Sequence, residues 1–144
     1  MSRRLSREFF ENEPLQLART LIGMELISRL CGVPCGGIIV ETEVYIGPAD
    51  RASHAWGNRR TDRTEVQFGP RAHAYVYQIY GIHCCFNVVV GPARMPAVVL
   101  IRALHPTIHL ELMAKNRGIT LDNTRLLTSG PGRLTQALGI GKIV

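Results

Sequence analysis

The sequence predicts an α+β fold: a single domain in which a mixed, mainly antiparallel curved sheet is flanked by short helices. Three apolar segments, residues 74–80, 83–90 and 97–104, follow one another closely, as strands joined by tight turns do. Amphipathic segments near both ends of the chain are typical of helices. Strands that are adjacent in sequence, with helices at the ends, indicate an antiparallel sheet.

The other predicted elements, in chain order, are a helix, two strands and a helix over residues 14–22, 24–30, 38–46 and 107–116. Pro14 marks the start of the first helix and Gly23 its end, while Pro106 is expected to end the last strand. The segment SGPGRLTQALGI predicts a short final helix. Residues 47–72 remain as a long polar loop, and a loop of this length in a small domain is usually functional.

Length and composition indicate one folded domain. The chain has 144 residues, of which 46% are hydrophobic, and residues 1–11 are interpreted as a flexible basic N-terminus. No apolar run approaches the ~20 residues of a membrane helix, and no signal sequence follows the basic start. We therefore expect a cytoplasmic monomer, nucleoid-associated if bacterial, with no membrane contact and no obligate protein partner.

The net charge of +6 comes almost entirely from arginine, since only Lys115 and Lys142 among the 17 basic residues are lysine. The planar guanidinium grips phosphate, so an arginine-rich surface suits a nucleic-acid backbone. A merely solvated arginine-rich surface would have the same composition. The candidates for backbone contacts lie in the long loop and are Arg59, Arg60, Arg63 and Arg71.

The four cysteines do not follow a metal-ligand pattern. Cys31 and Cys35 flank a Gly/Pro turn, whereas Cys84 and Cys85 are adjacent in an apolar strand, where neighbouring side chains point to opposite faces. We therefore expect buried free thiols, no bound metal and no disulfide.

The strand IIVETEVYI carries a candidate for catalysis. Alternation places the even-numbered residues 38–46 on a core face, and Ile39, Glu41, Glu43 and Tyr45 on the other. Two carboxylates on an apolar strand are expected to be paired or used chemically, because burying a charge is costly. Two ordinary surface glutamates would give the same pattern. Arg102 interrupts another apolar run, and a buried guanidinium requires a bound anion or an acidic partner, for which Glu43 is the candidate.

The segment AHAYVYQIYGIHCCFNVVV predicts a hairpin that turns at Gly81. Tyr75 and Tyr77 share a face, and for Tyr75 we favour core packing. Tyr80 projects from the tip, where a rigidly held tyrosine has the shape of a wedge that enters a base stack. Asn87 is the one amide in an apolar run, so it needs hydrogen-bond partners.

Four ordered segments carry a resemblance to a known family: IVETEVYIGPADRASHA, RTDRTEVQFGPRAHAYVYQIYGIHCCFNVV, LIRALHP and SGPGRLTQALGI. In order and spacing they resemble the alkyladenine (3-methyladenine) DNA glycosylases, over residues 15–140. The resemblance implies a monofunctional enzyme of base excision repair that flips a damaged purine from double-stranded DNA and hydrolyses its N-glycosidic bond. The substrate class is 3-methyladenine, 7-methylguanine, hypoxanthine and ethenoadenine, and no cofactor is implied.

The same resemblance implies a role for each matching side chain. Glu43 is the general base that activates water, Arg102 lies near that water and the phosphate, and Tyr80 fills the gap left by the flipped nucleotide. The side chains implied to form the base pocket are Tyr45, His54, Tyr77 and Asn87. The first three stack on the base, and Asn87 screens bases at the pocket floor.

The chain departs from the family pattern at several positions. Gln67 and Arg71 stand where the family usually has apolar or proline residues, and Cys84 where an aromatic is common. Family members also continue for several tens of residues, so we expect a C-terminally shortened domain that lacks a backbone carbonyl near the water. The alternative to a working glycosylase is therefore a catalytically impaired, DNA-binding remnant of the family. An accessory nucleic-acid-binding domain ranks third and a metal hydrolase last.

Overall fold

A five-stranded sheet forms the centre of the fold. The computed structural model describes residues 3–62, 64–79, 82–92 and 95–141. The strands are β1 (Glu25–Ser28), β2 (Cys35–Ile46), β3 (Ala74–Ile79), β4 (His83–Val89) and β5 (Ala97–Ile108). They lie in the order β1-β2-β5-β4-β3. Each described pairing is antiparallel, so the sheet is antiparallel there rather than mixed.

Short helices surround the sheet, which confirms the predicted α+β class. The described ones are α1 (Pro14–Thr20), α2 (Leu110–Arg117), α3 (Arg125–Thr128) and α4 (Pro131–Leu138). Helix α1 begins at Pro14 as predicted, and the Glu13 side chain caps it by accepting backbone hydrogen bonds from Leu15 and Gln16 at 3.0 and 3.1 Å. Helix α1 ends at Thr20, two residues before the predicted end at residue 22. No helix in the described part of the chain is long and apolar enough to cross a membrane.

The two faces of the sheet have different neighbours. Val99 and Ile101 of β5 belong to the main core, together with Leu17 of α1, Met113 of α2 and Leu134 of α4, all of them fully buried. Val98, the residue of β5 just before Val99, packs on the opposite face in a second cluster with Tyr75 and Val89. Because successive strand residues point to opposite faces, one face of the sheet packs against the helices, and the other is left for the aromatic side chains.

A bulge in β2 changes the predicted core face. The register passes from Ile39 opposite Leu104 to Glu41 opposite Ala103, which leaves Val40 as the extra residue. Ile39 is consequently in the core, whereas Val40 is 46% exposed. Val44, on the far side of the bulge, packs against the same core as Ile39. The predicted assignment of faces was therefore wrong at Ile39, which is buried in the core, and at Val40 and Ile46, which are exposed.

We expected Pro106 to end β5, but the strand continues to Ile108. Pro106 pairs with Gly37 of β2, while β4 pairs with β5 at residues 98–100. Since β4 does not reach Pro106, the missing amide proton of the proline interrupts no ladder on that side. The backbones also approach closely, because a Cβ atom on Gly37 would lie 2.1 Å from the His105 carbonyl oxygen.

The N-terminal segment that was expected to be flexible contains a 3-10 turn, Arg7–Glu11. Its Phe9 and Phe10 pack against the main core. Two further 3-10 turns, Trp56–Asn58 and Glu65–Phe68, lie in the long polar loop between β2 and β3. The loop is therefore locally ordered rather than irregular throughout.

Candidate functional site

Strands β2 and β5 bring a carboxylate and a guanidinium together. Arg102 Nη1 donates a hydrogen bond to Glu43 Oε2 at 2.8 Å, and Arg102 Nε lies 3.7 Å from Glu41 Oε2. The predicted pairing of Arg102 with Glu43 is thus confirmed. The expected burial of the guanidinium was wrong, because the Arg102 side chain is 40% exposed. The pair is therefore accessible to a ligand that approaches this part of the sheet.

Tyr45 holds the other oxygen of the same carboxylate. Its hydroxyl donates a hydrogen bond to Glu43 Oε1, and the two residues share a face of β2, as predicted. Burial, the hydrogen bond to Glu43 and the charge of Glu43 together raise the pKa of Tyr45 to about 12. Tyr45 is therefore a neutral hydrogen-bond donor at physiological pH. The Glu43 carboxylate is oriented from both sides, by a cation and by a phenol.

An aromatic cavity of about 180 Å³ lies on the same face of the sheet. The cavity wall is formed by the loop after β2, the turn Glu65–Phe68 and the strands β2, β3, β4 and β5. The lining residues are Tyr45, Ala52, Ser53, His54, Gln67, Tyr75, Tyr77, Asn87 and Val98. The His54 ring meets Tyr77 edge-on at 4.4 Å between centroids. Nδ1 of His54 is hydrogen-bonded to the Tyr75 hydroxyl at 2.9 Å. The structure thus brings together all four predicted base-pocket residues.

Burial keeps the cavity wall uncharged at Tyr77. It raises the pKa of Tyr77, and proximity to Cys85, the residue opposite on β4, adds to this effect. Burial likewise raises the pKa of the Cys85 thiol. The phenol and the thiol are therefore both neutral at physiological pH, so the cavity wall at this point is a neutral aromatic surface.

Two amides add polar groups to the cavity. Asn87 is fully buried, and its Nδ2 donates a hydrogen bond to the Tyr75 carbonyl oxygen at 3.2 Å. The amide oxygens of Asn87 and Gln67 are buried and have no hydrogen-bond partner within the described part of the chain. Sequence reasoning missed Gln67 and assigned Tyr75 to the core alone. Tyr75 is 3% exposed and also lines the cavity. The sequence signal for this second role was that Tyr75 shares a strand face with Tyr77.

A second concavity, an open groove of about 530 Å³, also reaches Glu43. It is lined by α1 residues, among them Leu15 and Arg19, and by residues 40–44 of β2 together with Arg102. This part of β2 is open because β1 pairs with residues 35–38. Glu43 thus lines the groove directly and is linked through Tyr45 to the aromatic cavity.

The four predicted backbone-contact arginines have different surroundings. Arg59 is exposed, whereas Arg60 forms two hydrogen bonds to Glu65, at 2.9 and 2.7 Å, with its guanidinium above the Phe68 ring. Arg71 lines a shallow concavity next to the N-terminal turn, together with Arg7 and Glu11. Arg63 and the predicted wedge Tyr80 lie outside the described residues.

The cysteines are free, but they are not all buried as expected. Cys35 and Cys85 are buried, Cys84 is half-buried and Cys31 is exposed. Among the residues that the structure describes, no three His, Cys, Asp or Glu side chains form a group that could hold a metal ion.

Sequence comparison relates the chain to known proteins. Residues 8–143 match the family described as Methylpurine-DNA glycosylase (MPG). A Bacillus cereus (strain G9842) protein named "Putative 3-methyladenine DNA glycosylase" is 49% identical over 136 residues, which are 92% of this chain and 66% of that protein. Proteins of the same name from Bacillus cereus (strain Q1) and Bacillus thuringiensis (strain Al Hakam) are 48% identical over the same shares. The chain thus spans just under two thirds of the length of these relatives.

Proposed function

The chain belongs to the methylpurine-DNA glycosylase family, and we propose that it removes damaged purines from double-stranded DNA. The substrate class is 3-methyladenine, 7-methylguanine, hypoxanthine and ethenoadenine. One observation carries this proposal: a carboxylate, Glu43, is held by Tyr45 and Arg102 beside a cavity walled by aromatic rings. The base occupies the cavity, and Glu43 activates the water that attacks the sugar.

The cavity suits a flat ring that carries a positive charge. A purine alkylated at N3 or N7 is cationic, and aromatic faces attract cations by roughly 0.5–2 kcal/mol for each contact. Tyr45, His54 and Tyr77 supply such rings. Flipping the nucleotide costs a few kcal/mol, less at a damaged pair. We propose that Tyr80 offsets part of this cost by filling the gap in the duplex.

The surroundings of Glu43 support a role in water activation. Within the described part of the chain, Glu43 Oε1 accepts a hydrogen bond from Tyr45 and Oε2 accepts one from Arg102. A carboxylate has about four acceptor positions, so capacity remains for a water molecule. The water oxygen bonds to C1′ and gives up its proton to Glu43, and the electrons of the broken N-glycosidic bond leave with the purine. The carboxylate also stabilises the positive charge that develops on the sugar.

The position of Lys115 favours water over an amine as the nucleophile, while Lys142 lies outside the described residues. Lys115, the lysine in the described part of the chain, lies on α2 in the helical layer. Its chain neighbours Met113 and Ala114 belong to the core between the helices and the sheet, and the cavity wall is formed from the opposite face. We therefore propose simple hydrolysis that leaves an abasic site and an intact strand.

Replacing Glu43 by Gln tests the proposal, because the amide keeps the shape but is a poor base. With a duplex that contains a single hypoxanthine, we expect the wild type to produce alkali-labile sites. Glu43→Gln should lower the single-turnover rate by roughly 10²–10⁴-fold, with DNA affinity changed by less than about threefold.

Glu25→Gln provides the matched control, because Glu25 is an exposed strand glutamate on β1. Its cleavage rate should equal that of the wild type. Binding of the damaged duplex by the wild type without any cleavage would contradict the enzymatic proposal. That result would identify the chain as a DNA-binding member of the family that does not cut.

A further inference from the structure

Gln67 is a buried amide in the cavity for which the mechanism above has no use. It is 1% exposed, lines the cavity together with Tyr77 and Asn87, and its Oε1 has no hydrogen-bond partner among the described residues. A buried acceptor without a partner is costly, and native proteins keep few of them. A polar side chain in this state in a cavity wall needs a partner from outside the chain, and a bound base can supply it.

The backbone of Gln67 is held rigidly. Its amide donates to the Thr64 carbonyl oxygen at 2.9 Å, and the buried Thr64 hydroxyl donates to the Arg59 carbonyl oxygen, also at 2.9 Å. The next residue, Phe68, is buried beneath the Arg60 guanidinium. The turn is thus fixed on both sides of Gln67. A fixed backbone restricts the positions that the Gln67 amide can take, and a restricted polar group discriminates between ligands better than a freely mobile one.

Asn87 provides a second acceptor of the same kind. Its Nδ2 is committed to the Tyr75 carbonyl oxygen, while its Oδ1 has no partner in the described part of the chain. The cavity wall therefore contains two amide side chains whose buried oxygens have no hydrogen-bond partner among the described residues. A base that carries N–H groups at its edge satisfies them, whereas a base whose edge has no N–H leaves them unpaired.

We propose that Gln67 determines base specificity by accepting a hydrogen bond from an N–H group at the edge of the base. This inference rests on the proposed function and refines its substrate class. The exocyclic amine of an alkyladenine and the N1–H of hypoxanthine are suitable donors. In ethenoadenine a carbon bridge closes that edge and removes the N–H. A glutamine amide can also donate to an adjacent ring nitrogen, as in the bidentate pairing of Gln with adenine.

The test compares two duplexes that differ only in carrying hypoxanthine or ethenoadenine at one position. Dissociation constants are measured by fluorescence anisotropy in the cold, and quenched aliquots verify that the base is still attached. Gln67→Met removes the amide at nearly constant volume, so we expect hypoxanthine affinity to fall about tenfold. Ethenoadenine affinity should change by less than about twofold.

Gln78→Met is the matched control, because Gln78 is exposed and lies next to Tyr77 on β3. It makes the same chemical change and should leave the ratio of the two affinities unaltered. Gln67→Leu provides a second apolar replacement, and thermal melting verifies that each variant folds. An unchanged affinity ratio in a folded Gln67 variant would overturn the inference.

The proposed function and this inference fail in different ways. Wild-type protein that never releases a base would refute the enzymatic proposal, yet the affinity ratio would still report on Gln67. Cleavage by the wild type, together with an unaltered ratio in Gln67→Met, would refute the role of Gln67 alone.

Discussion

At the scale of single residues, the arrangement around Glu43 orients a carboxylate more than it stabilises the fold. The side chains of Arg102 and Glu43 are 40% and 41% exposed, and ion pairs at such positions contribute about 0–1 kcal/mol. Tyr45 differs from this exposed ion pair, because burial is the largest cause of its raised pKa. The phenol therefore couples the site to the stability of the folded chain at high pH.

The raised pKa of Tyr45 predicts that the free energy of unfolding depends on pH in the alkaline range. The unfolded chain loses the Tyr45 proton near pH ~10, whereas the folded protein keeps it until about 12. Since the unfolded state ionises first, the free energy of unfolding should decrease as the pH rises through this window. Tyr45→Phe should make the decrease shallower. Urea unfolding from about pH 8 to about pH 11 measures both slopes, and identical slopes would contradict the assignment.

At the scale of elements, the packing of helix α4 supports the strand that carries Asn87. Leu134, Ala137 and Leu138 of α4 are fully buried. The Thr135 hydroxyl donates to the Cys84 carbonyl oxygen of β4 at 2.8 Å. One side of β4 is thus fixed to the helical layer, while Asn87 on the same strand lines the cavity. The position of the amide depends on a contact made on the opposite face of the sheet.

Truncating a buried side chain of α4 should destabilise the whole domain. Leu138→Ala removes a side chain with no exposed surface, and such changes cost about 2–5 kcal/mol of unfolding free energy. Leu126→Ala, at a position that is 42% exposed, makes the same change and should cost less than about 1 kcal/mol. Urea unfolding of both variants checks the difference. Equal losses would show that α4 is not part of the cooperative core.

At the scale of the whole molecule, a net charge of +6 indicates electrostatic attraction to DNA. The structure shows that not every arginine contributes equally. Arg60 is already paired with Glu65, whereas Arg59 is exposed. Fewer guanidinium groups are therefore available to a phosphate backbone than the number of arginines suggests.

This difference predicts how DNA affinity depends on salt. The logarithm of the affinity should fall linearly with the logarithm of the salt concentration, with a slope of about −0.9 for each neutralised phosphate. Arg59→Gln should make the slope shallower by about 0.9 if Arg59 contacts one phosphate, and Arg60→Gln should change it less. Anisotropy titrations at several salt concentrations measure the slopes. An affinity that does not respond to salt would exclude the loop arginines from the interface.

The sequence by itself determined the features that depend on neighbours along the chain. Pro14 starts α1, and alternation in β3 places Tyr75 and Tyr77 on one face, where their ring centroids lie 5.5 Å apart. The spacing of four motifs also indicated the family, and the isolated charge of Arg102 indicated Glu43 as its partner. Capping and alternation are local rules, and the need to pair an isolated charge holds wherever along the chain the partner lies.

Only the tertiary structure decided the features that depend on which segments meet. The bulge at Val40 and the continuation of β5 through Pro106 arise from the pairing with β2. The place of Gln67 in the cavity wall depends on a turn that packs beside β3. A residue's own neighbours carry no information about a cavity enclosed by four strands, a loop and a turn. For that reason the sequence indicated the carboxylate and Asn87, and only the fold showed that Gln67 belongs to the same cavity wall.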